Sequence, residues 1–214
     1  CDNCYKQLIV WNPEEEEIVL TMMALLLTGF TATAQTAEQV LDKCAATVSA
    51  KNGVTANFTM ASAQYGDATG TITIKGKMFY TVCSTMSMWF DGKTLWTYMA
   101  NNDEVNISTP TSQQLHTLNP YNFINLYKQG YKASMTTSDK GYRVHLTATD
   151  EQHKIREAFL EIDKASYAPL EIKMLTGSKW TTFTISGLTA QAVDDAQFRF
   201  DGRRYPDAEI IDLR

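Results

Sequence analysis

Residues Met88-Trp89-Phe90-Asp91-Gly92-Lys93-Thr94-Leu95-Trp96-Thr97-Tyr98 decide how this chain folds. An Asp-Gly pair between two apolar runs is the strongest short-range signal of a β-hairpin. Whether the loop is Asp91-Gly92 or Gly92-Lys93, the numbers of opposed residues sum to an odd total. Trp89, Trp96 and Tyr98 then share one face, and Met88, Phe90 and Leu95 share the other. A hairpin apolar on both faces is covered on both sides, which a single-layer surface sheet does not require.

Working downstream, Asn119-Pro120 opens a short helix, with Asn as N-cap and Pro at the first position. Phe123, Ile124, Leu126 and Tyr127 give it an apolar side, and Gly130 ends it. Strand patterns then resume at Tyr142–Leu146, Ala158–Asp163, Leu170–Leu175, Trp180–Leu188 and Phe198–Phe200. Turn signals at Asp139-Lys140-Gly141, Pro169, Gly177 and Gly187 recur every ~8–12 residues, as in sandwiches and barrels.

Upstream, Gly70 to Val82 alternates with period two. Ile72, Ile74, Met78, Tyr80 and Val82 lie on one parity, and Thr71, Thr73, Lys75 and Lys77 on the other, which predicts a strand with one face in the core. Thr55 to Tyr65 behaves likewise, with Ala56, Phe58 and Met60 on its apolar side. Before it, Thr36-Ala37-Glu38-Gln39 is a capping box, followed by Val40, Leu41, Cys44 and Val48 on one stripe. An amphipathic helix over about 36–50 is expected, ended by Asn52-Gly53. No repeat, linker or low-complexity tract breaks the run from Gln35 to Arg214, so one domain is expected there.

The formal charge of −5 is uneven. Asp2 and Glu14 to Glu17 against Lys6 account for most of it, which leaves the remainder near neutral. No basic face is left for phosphate neutralisation, and nucleic acid is not an expected partner. Ile18 to Ala34 is the one long apolar run. Met22 to Leu27 has the length of a signal-peptide core and Ala32-Thr33-Ala34 offers a cleavage pattern. A membrane span needs about 20 consistently apolar residues, so an uncleaved anchor is the lesser reading. The acidic stretch before the run is unlike a signal n-region, and residues 1–17 read as an upstream remnant. Residues 1–34 are therefore expected to be a leader and 35–214 the working domain, exported to the periplasm.

Catalytic and metal motifs are absent from this pattern. His116, His145 and His153 are scattered, and the last two fall in polar surroundings that predict exposed surface. There is no nucleophile elbow, phosphate loop or metallohydrolase helix. Asp194-Asp195 is a lone acidic pair, more often a solvated turn than a calcium site. Cys1 and Cys4 form an isolated CxxC without a second half. Cys44 and Cys83 could pair under oxidising conditions or remain buried thiols. No enzyme activity, metal or cofactor is expected. Nine Met, nine Phe, ten Tyr and four Trp supply soft, wide apolar surface instead, suited to a flexible apolar ligand or simply to a core.

Taken in order, several segments resemble the periplasmic outer-membrane lipoprotein carrier family, LolA. They are the first helix, the Phe58 strand, Thr69-Gly70-Thr71-Ile72-Thr73-Ile74-Lys75, the Trp89–Tyr98 hairpin with Glu104-Val105, Asn119-Pro120-Tyr121, and Val193-Asp194-Asp195-Ala196-Gln197-Phe198-Arg199-Phe200. The Asp91–Tyr98 stretch is the most specific of these.

The resemblance implies a mainly β (α+β) fold: an unclosed antiparallel β-barrel of about 11 strands around a hydrophobic cavity, with a helical lid. It implies a monomeric carrier that takes acylated lipoproteins from an inner-membrane transporter to an outer-membrane acceptor. A sensor of lipid or mislocalised lipoproteins in an envelope stress pathway is the alternative. Acyl chains are expected against Phe58, Met60, Ile72, Ile74, Met78, Tyr80, Trp89, Trp96, Tyr98, Phe123 and Leu126. The lid is expected to involve Val40, Leu41, Cys44, Lys75 and Lys77. One departure stands out: the best-known carriers have Arg after the Lys that ends the Gly70 strand, and here Gly76 follows Lys75. Either lysine could replace that Arg only as a point charge.

Overall fold

The computed structural model describes residues 35–49, 51–112, 114–115 and 120–214, the side chains of 120–123 excepted. The expected leader, His116 and Asn119 lie outside the described residues.

Helix α1 runs from Ala37 to Val48. Thr36 Oγ1 accepts from the Gln39 amide at 3.3 Å, and the Gln39 side chain accepts from the Thr36 amide at 3.1 Å. This is the capping box read in the sequence; it satisfies two of the orphan donors at the helix start. The expected stripe of Val40, Leu41, Cys44 and Val48 is buried. Burying each such side chain is worth about 1.5–3 kcal/mol, so packing rather than propensity holds the helix in place.

Twelve strands follow: β1 (Val54–Ser62), β2 (Ala68–Lys75), β3 (Met78–Cys83), β4 (Met86–Phe90), β5 (Leu95–Met99), β6 (Glu104–Ser108), β7 (Tyr131–Thr137), β8 (Gly141–Ala148), β9 (Ile155–Asp163), β10 (Pro169–Thr176), β11 (Lys179–Ala190) and β12 (Glu209–Asp212). They form one sheet in the order β12-β6-β5-β4-β3-β2-β1-β11-β10-β9-β8-β7. All pairings are antiparallel except the last strand, which lies parallel to β6. The edges β7 and β12 do not meet, so the sheet is an unclosed barrel with one strand more than expected. Side chains from both halves of the sheet, such as Phe79 and Phe90 on one side and Val144 and Leu160 on the other, share a single core with Val40 and Leu41. The sheet therefore curls around α1.

Between β6 and β7 the chain crosses from one end of the sheet to the other. A 3-10 helix, Pro120–Lys128, occupies part of that crossing. Its start and extent match the helix expected after Asn119; its hydrogen bonding is the tighter type, usual in short segments.

The β4–β5 hairpin closes through Gly92-Lys93, with the Asp91 amide donating to the Thr94 carbonyl at 3.3 Å and Phe90 opposite Leu95. Trp89 lies opposite Trp96, so the two-faced reading of this hairpin is correct. Gly70–Val82, however, is two strands rather than one. A tight turn at Gly76-Lys77 joins β2 to β3, with Gly76 at φ +60° and Lys75 opposite Met78. Because the turn reverses the chain between Lys75 and Met78, parity flips. Phe79, not Tyr80, faces the same way as Ile74.

The tail also departs from expectation. Phe198–Phe200 is not a strand: a 3-10 turn spans Asp195–Phe198, capped by the Asp194 side chain, which accepts from the Ala196 amide. From there the chain lies across the sheet's outer face to β12.

Candidate functional site

The inner face of the sheet, roofed by α1 and the 3-10 helix, is the one extended apolar surface that the fold encloses among the described residues. Phe58, Ile72, Ile74, Phe79, Met88, Phe90 and Leu95 line one half, and Val144, Leu146, Leu160, Ile172, Met174 and Ile185 the other. Met60, Met86, Met135 and Phe183 are half-buried against it. Phe58 sits directly opposite Gly70, where a Cβ would fall 2.9 Å from its ring and 2.1 Å from the Val82 carbonyl. Glycine at that position makes the space the ring fills.

Among the described residues, every buried polar side chain is a hydroxyl: Ser62, Thr73, Thr81, Ser87, Thr94 and Thr181. No charged group is buried there, and no cluster of three or more metal-binding side chains occurs among the described residues. Among the described residues this interior is therefore lined by apolar side chains, with hydroxyls as its buried polar groups. A solvent-open cavity of about 670 Å³ lies elsewhere, at the ends of β8, β9 and β10. Its lining mixes Glu151 and Glu157 with His153, Lys154 and Arg156, which suits water rather than hydrocarbon.

The roof is held by two kinds of contact. Beneath, Val40, Leu41 and Cys44 of α1 and Ile124 and Leu126 of the 3-10 helix join the core. At the surface, Asp42 Oδ1 accepts from the Tyr127 hydroxyl at 2.6 Å and pairs with Lys128 Nζ at 2.9 Å. Lys43 Nζ donates to the Tyr167 hydroxyl at 3.1 Å, and Thr47 Oγ1 donates to the Ser166 carbonyl at 3.3 Å. These links lie at the surface, where solvent competes with them and screens their charges; the apolar seam carries the closure. Cys44 and Cys83 are free thiols, and burial pushes the Cys44 thiol up to about 12.

Of the residues expected against a ligand, the structure brings together Phe58, Met60, Ile72, Ile74 and Leu126, with Val40, Leu41 and Cys44 above them. Phe123's side chain lies outside the described residues. Five others need correction. The flip at Gly76 puts Met78 and Tyr80 on the outer face, as the pairing of Ile74 with Phe79 requires. Trp89, Trp96 and Tyr98 share that outer face with them, since Tyr80 opposes Trp89 and Trp89 opposes Trp96.

The outer aromatics belong to a second small core built with the C-terminal segment. Trp89 packs on Tyr80, Phe200 and Tyr205 at ring-centre distances of 5.3, 5.4 and 5.7 Å. Tyr98 meets Tyr205 at 4.6 Å, and Phe198 is fully buried.

The lid assignment of the lysines also changes. Lys75 Nζ donates to the Val193 carbonyl at 2.7 Å and to Asp195 at 2.8 Å. It ties down the C-terminal segment, not α1. Lys77 is exposed in the turn. Asp194 and Asp195 are thereby accounted for as a cap and an ion-pair partner. Both described histidines are engaged: His145 stacks on Phe159 at 4.2 Å and pairs with Glu157, and His153 bridges Asp150 and the Gln129 carbonyl.

Reading the sequence did not assign Phe79, Met88, Phe90 and Leu95 to the site. Their signal was present, in the positive-φ glycine before β3 and in the second face of the hairpin. What was missing was which face α1 would cover.

Residues 27–178 match the family described as outer membrane lipoprotein carrier protein LolA, and the chain belongs to that family. Among solved structures, an uncharacterized conserved protein from Thermus thermophilus has 13% identity, with a TM-score of 0.56 over 82% of this chain and 98% of that one. It shares the fold. A LolA superfamily protein from Nitrosomonas europaea has 13% identity and a TM-score of 0.42 over 78% of this chain and 99% of that one. No curated protein matches the chain.

Proposed function

We propose that this protein is a periplasmic carrier that takes the acyl chains of lipoproteins under α1 and ferries them from the inner to the outer membrane. It binds and releases; it does not catalyse. The observation that carries the reading is the roofed interior itself, whose described buried side chains are apolar or bear a hydroxyl, in a chain of the lipoprotein carrier family. Each methylene moved out of water is worth about 0.8 kcal/mol, so an acyl chain needs such an interior to cross an aqueous space. In the closed form the interior side chains pack into one core with α1, and admission of a ligand requires α1 and the 3-10 helix to lift. Loading by an inner-membrane transporter, delivery to an outer-membrane acceptor, and export with cleavage near Gln35 complete the proposal.

The test is mass spectrometry of material co-purifying with the protein from periplasm. Acylated peptides or lipoproteins should be found, on a chain beginning near Gln35. A protein recovered without lipid while its candidate clients are abundant overturns the reading.

A further inference from the structure

We propose that Thr81 is the polar contact of the binding interior, donating its hydroxyl to the carbonyl oxygen of an acyl ester in the bound lipid. This rests on the carrier reading and adds to it which part of the ligand is recognised. Thr81 lies in β3 opposite Ile72 on one side and Met88 on the other, and so faces the interior with them. It is 7% exposed, and its Oγ1 has no hydrogen-bond partner.

Three of the other buried hydroxyls, those of Ser62, Thr73 and Thr181, have hydrogen-bond partners. Ser62 and Thr181 bond each other at 2.9 Å, and Thr55 and Thr73 do so at 3.0 Å on the opposite face. An unsatisfied buried hydroxyl is a standing cost, and Val would fill the same volume in a strand without it. The hydroxyl is therefore left for something that arrives when the roof lifts. A plain hydrocarbon leaves it unsatisfied; a carboxylate or phosphate would be stranded among Ile72, Met88 and Phe79 without a counter-charge. A neutral acyl carbonyl, attached to the chain that fills the interior, meets both constraints.

The experiment compares a diacylated lipopeptide carrying ester-linked chains with its ether-linked dialkyl counterpart, on wild type, Thr81→Val and Thr81→Ser. Wild type should bind the ester form about three- to tenfold tighter, the range of one net hydrogen bond. Thr81→Val should lose that preference by weakening the ester form alone, and Thr81→Ser should keep it. Ligand-free Thr81→Val should melt no lower than wild type, because it removes an unsatisfied group. A preference that survives in Thr81→Val overturns this inference and leaves the carrier reading standing, as does a clear fall in its melting temperature. Wild type that binds neither probe overturns both.

Discussion

The Tyr127 hydroxyl donates to Asp42 over 2.6 Å, and the same carboxylate oxygen lies 2.9 Å from Lys128 Nζ, so one aspartate joins both pieces of the roof. Tyr127, and then Lys128, hold the Asp42 carboxyl below its usual range. Its folded pKa is depressed, so this link stabilises closure above about pH 4, the unfolded value, and fades as pH falls through the folded one.

That link should be minor beside the apolar seam. Cys44 is fully buried and can react only when α1 lifts, so its labelling rate reports opening. Asp42→Asn should accelerate labelling less than about fivefold, as an exposed pair worth under about 1 kcal/mol would. Leu126→Ala, truncating a side chain that is 3% exposed, should remove roughly 2–5 kcal/mol and accelerate it far more. The reverse ranking would mean a polar latch governs the roof.

His153 ties the β8–β9 turn to the end of the 3-10 helix, with Nδ1 2.9 Å from Asp150 and Nε2 2.8 Å from the Gln129 carbonyl. Both partners are acceptors, and a neutral imidazole has one N–H, so the protonated ring fits the site. The Gln129 carbonyl, then Asp150, raise the His153 pKa. Its stabilisation is complete below about pH 6.5, the unfolded value, and is lost as pH rises through the folded pKa. Amide exchange at Gly130 and Tyr131 should quicken over that upper range in wild type. In His153→Gln the pH step should vanish; a step of unchanged size would assign it to another group.

Opposite faces of one hairpin should respond oppositely to the same charge. Ile74→Lys puts an unpaired ammonium into the core and should abolish binding of an acylated probe, with a stability loss of several kcal/mol. Met78→Lys, on the outer face, should leave binding within about twofold, as surface changes do. Loss of binding in a folded Met78→Lys protein would put the site on the wrong side of the sheet.

Lys75→Ala should free the tail and spare the roof. Limited proteolysis should begin to cut within residues 193–205, while Cys44 labelling stays at the wild-type rate. Trp89 emission should shift with the tail's release and stay constant when an acyl probe binds. A Trp89 response to the probe in intact protein would contradict its placement beneath Phe200 and Tyr205.

Local signals were legible from the sequence, and long-range ones were not. The Thr36–Gln39 box and the Val40–Val48 stripe placed α1 because both act within a few residues. The Asp91–Thr94 turn placed the Trp89–Trp96 pair for the same reason. Alternation runs unbroken in the sequence through Gly76, where a two-residue turn preserves the look of a period while reversing the chain, so Met78 and Tyr80 face away from Ile74. Lys75 was misplaced because its partners, Val193 and Asp195, stand about 120 residues away, and nothing within one strand's length announces them. The aromatic outer face was correctly read as covered, but its cover is a tail that the sequence presented as a strand.

The central position of β1 governs the order in which this protein can assemble. Val54 pairs with Ile74 on one side and with Ala190 on the other, so the sheet's middle seam joins an early strand to a late one. The hairpins from β1 to β6 can zip as they appear, but the bond to β11 must wait for the chain's last portion, and such distant contacts are slow to form. Until then the Phe58 side of a six-stranded half-sheet stands bare to water, and the chain is itself a client in need of shelter.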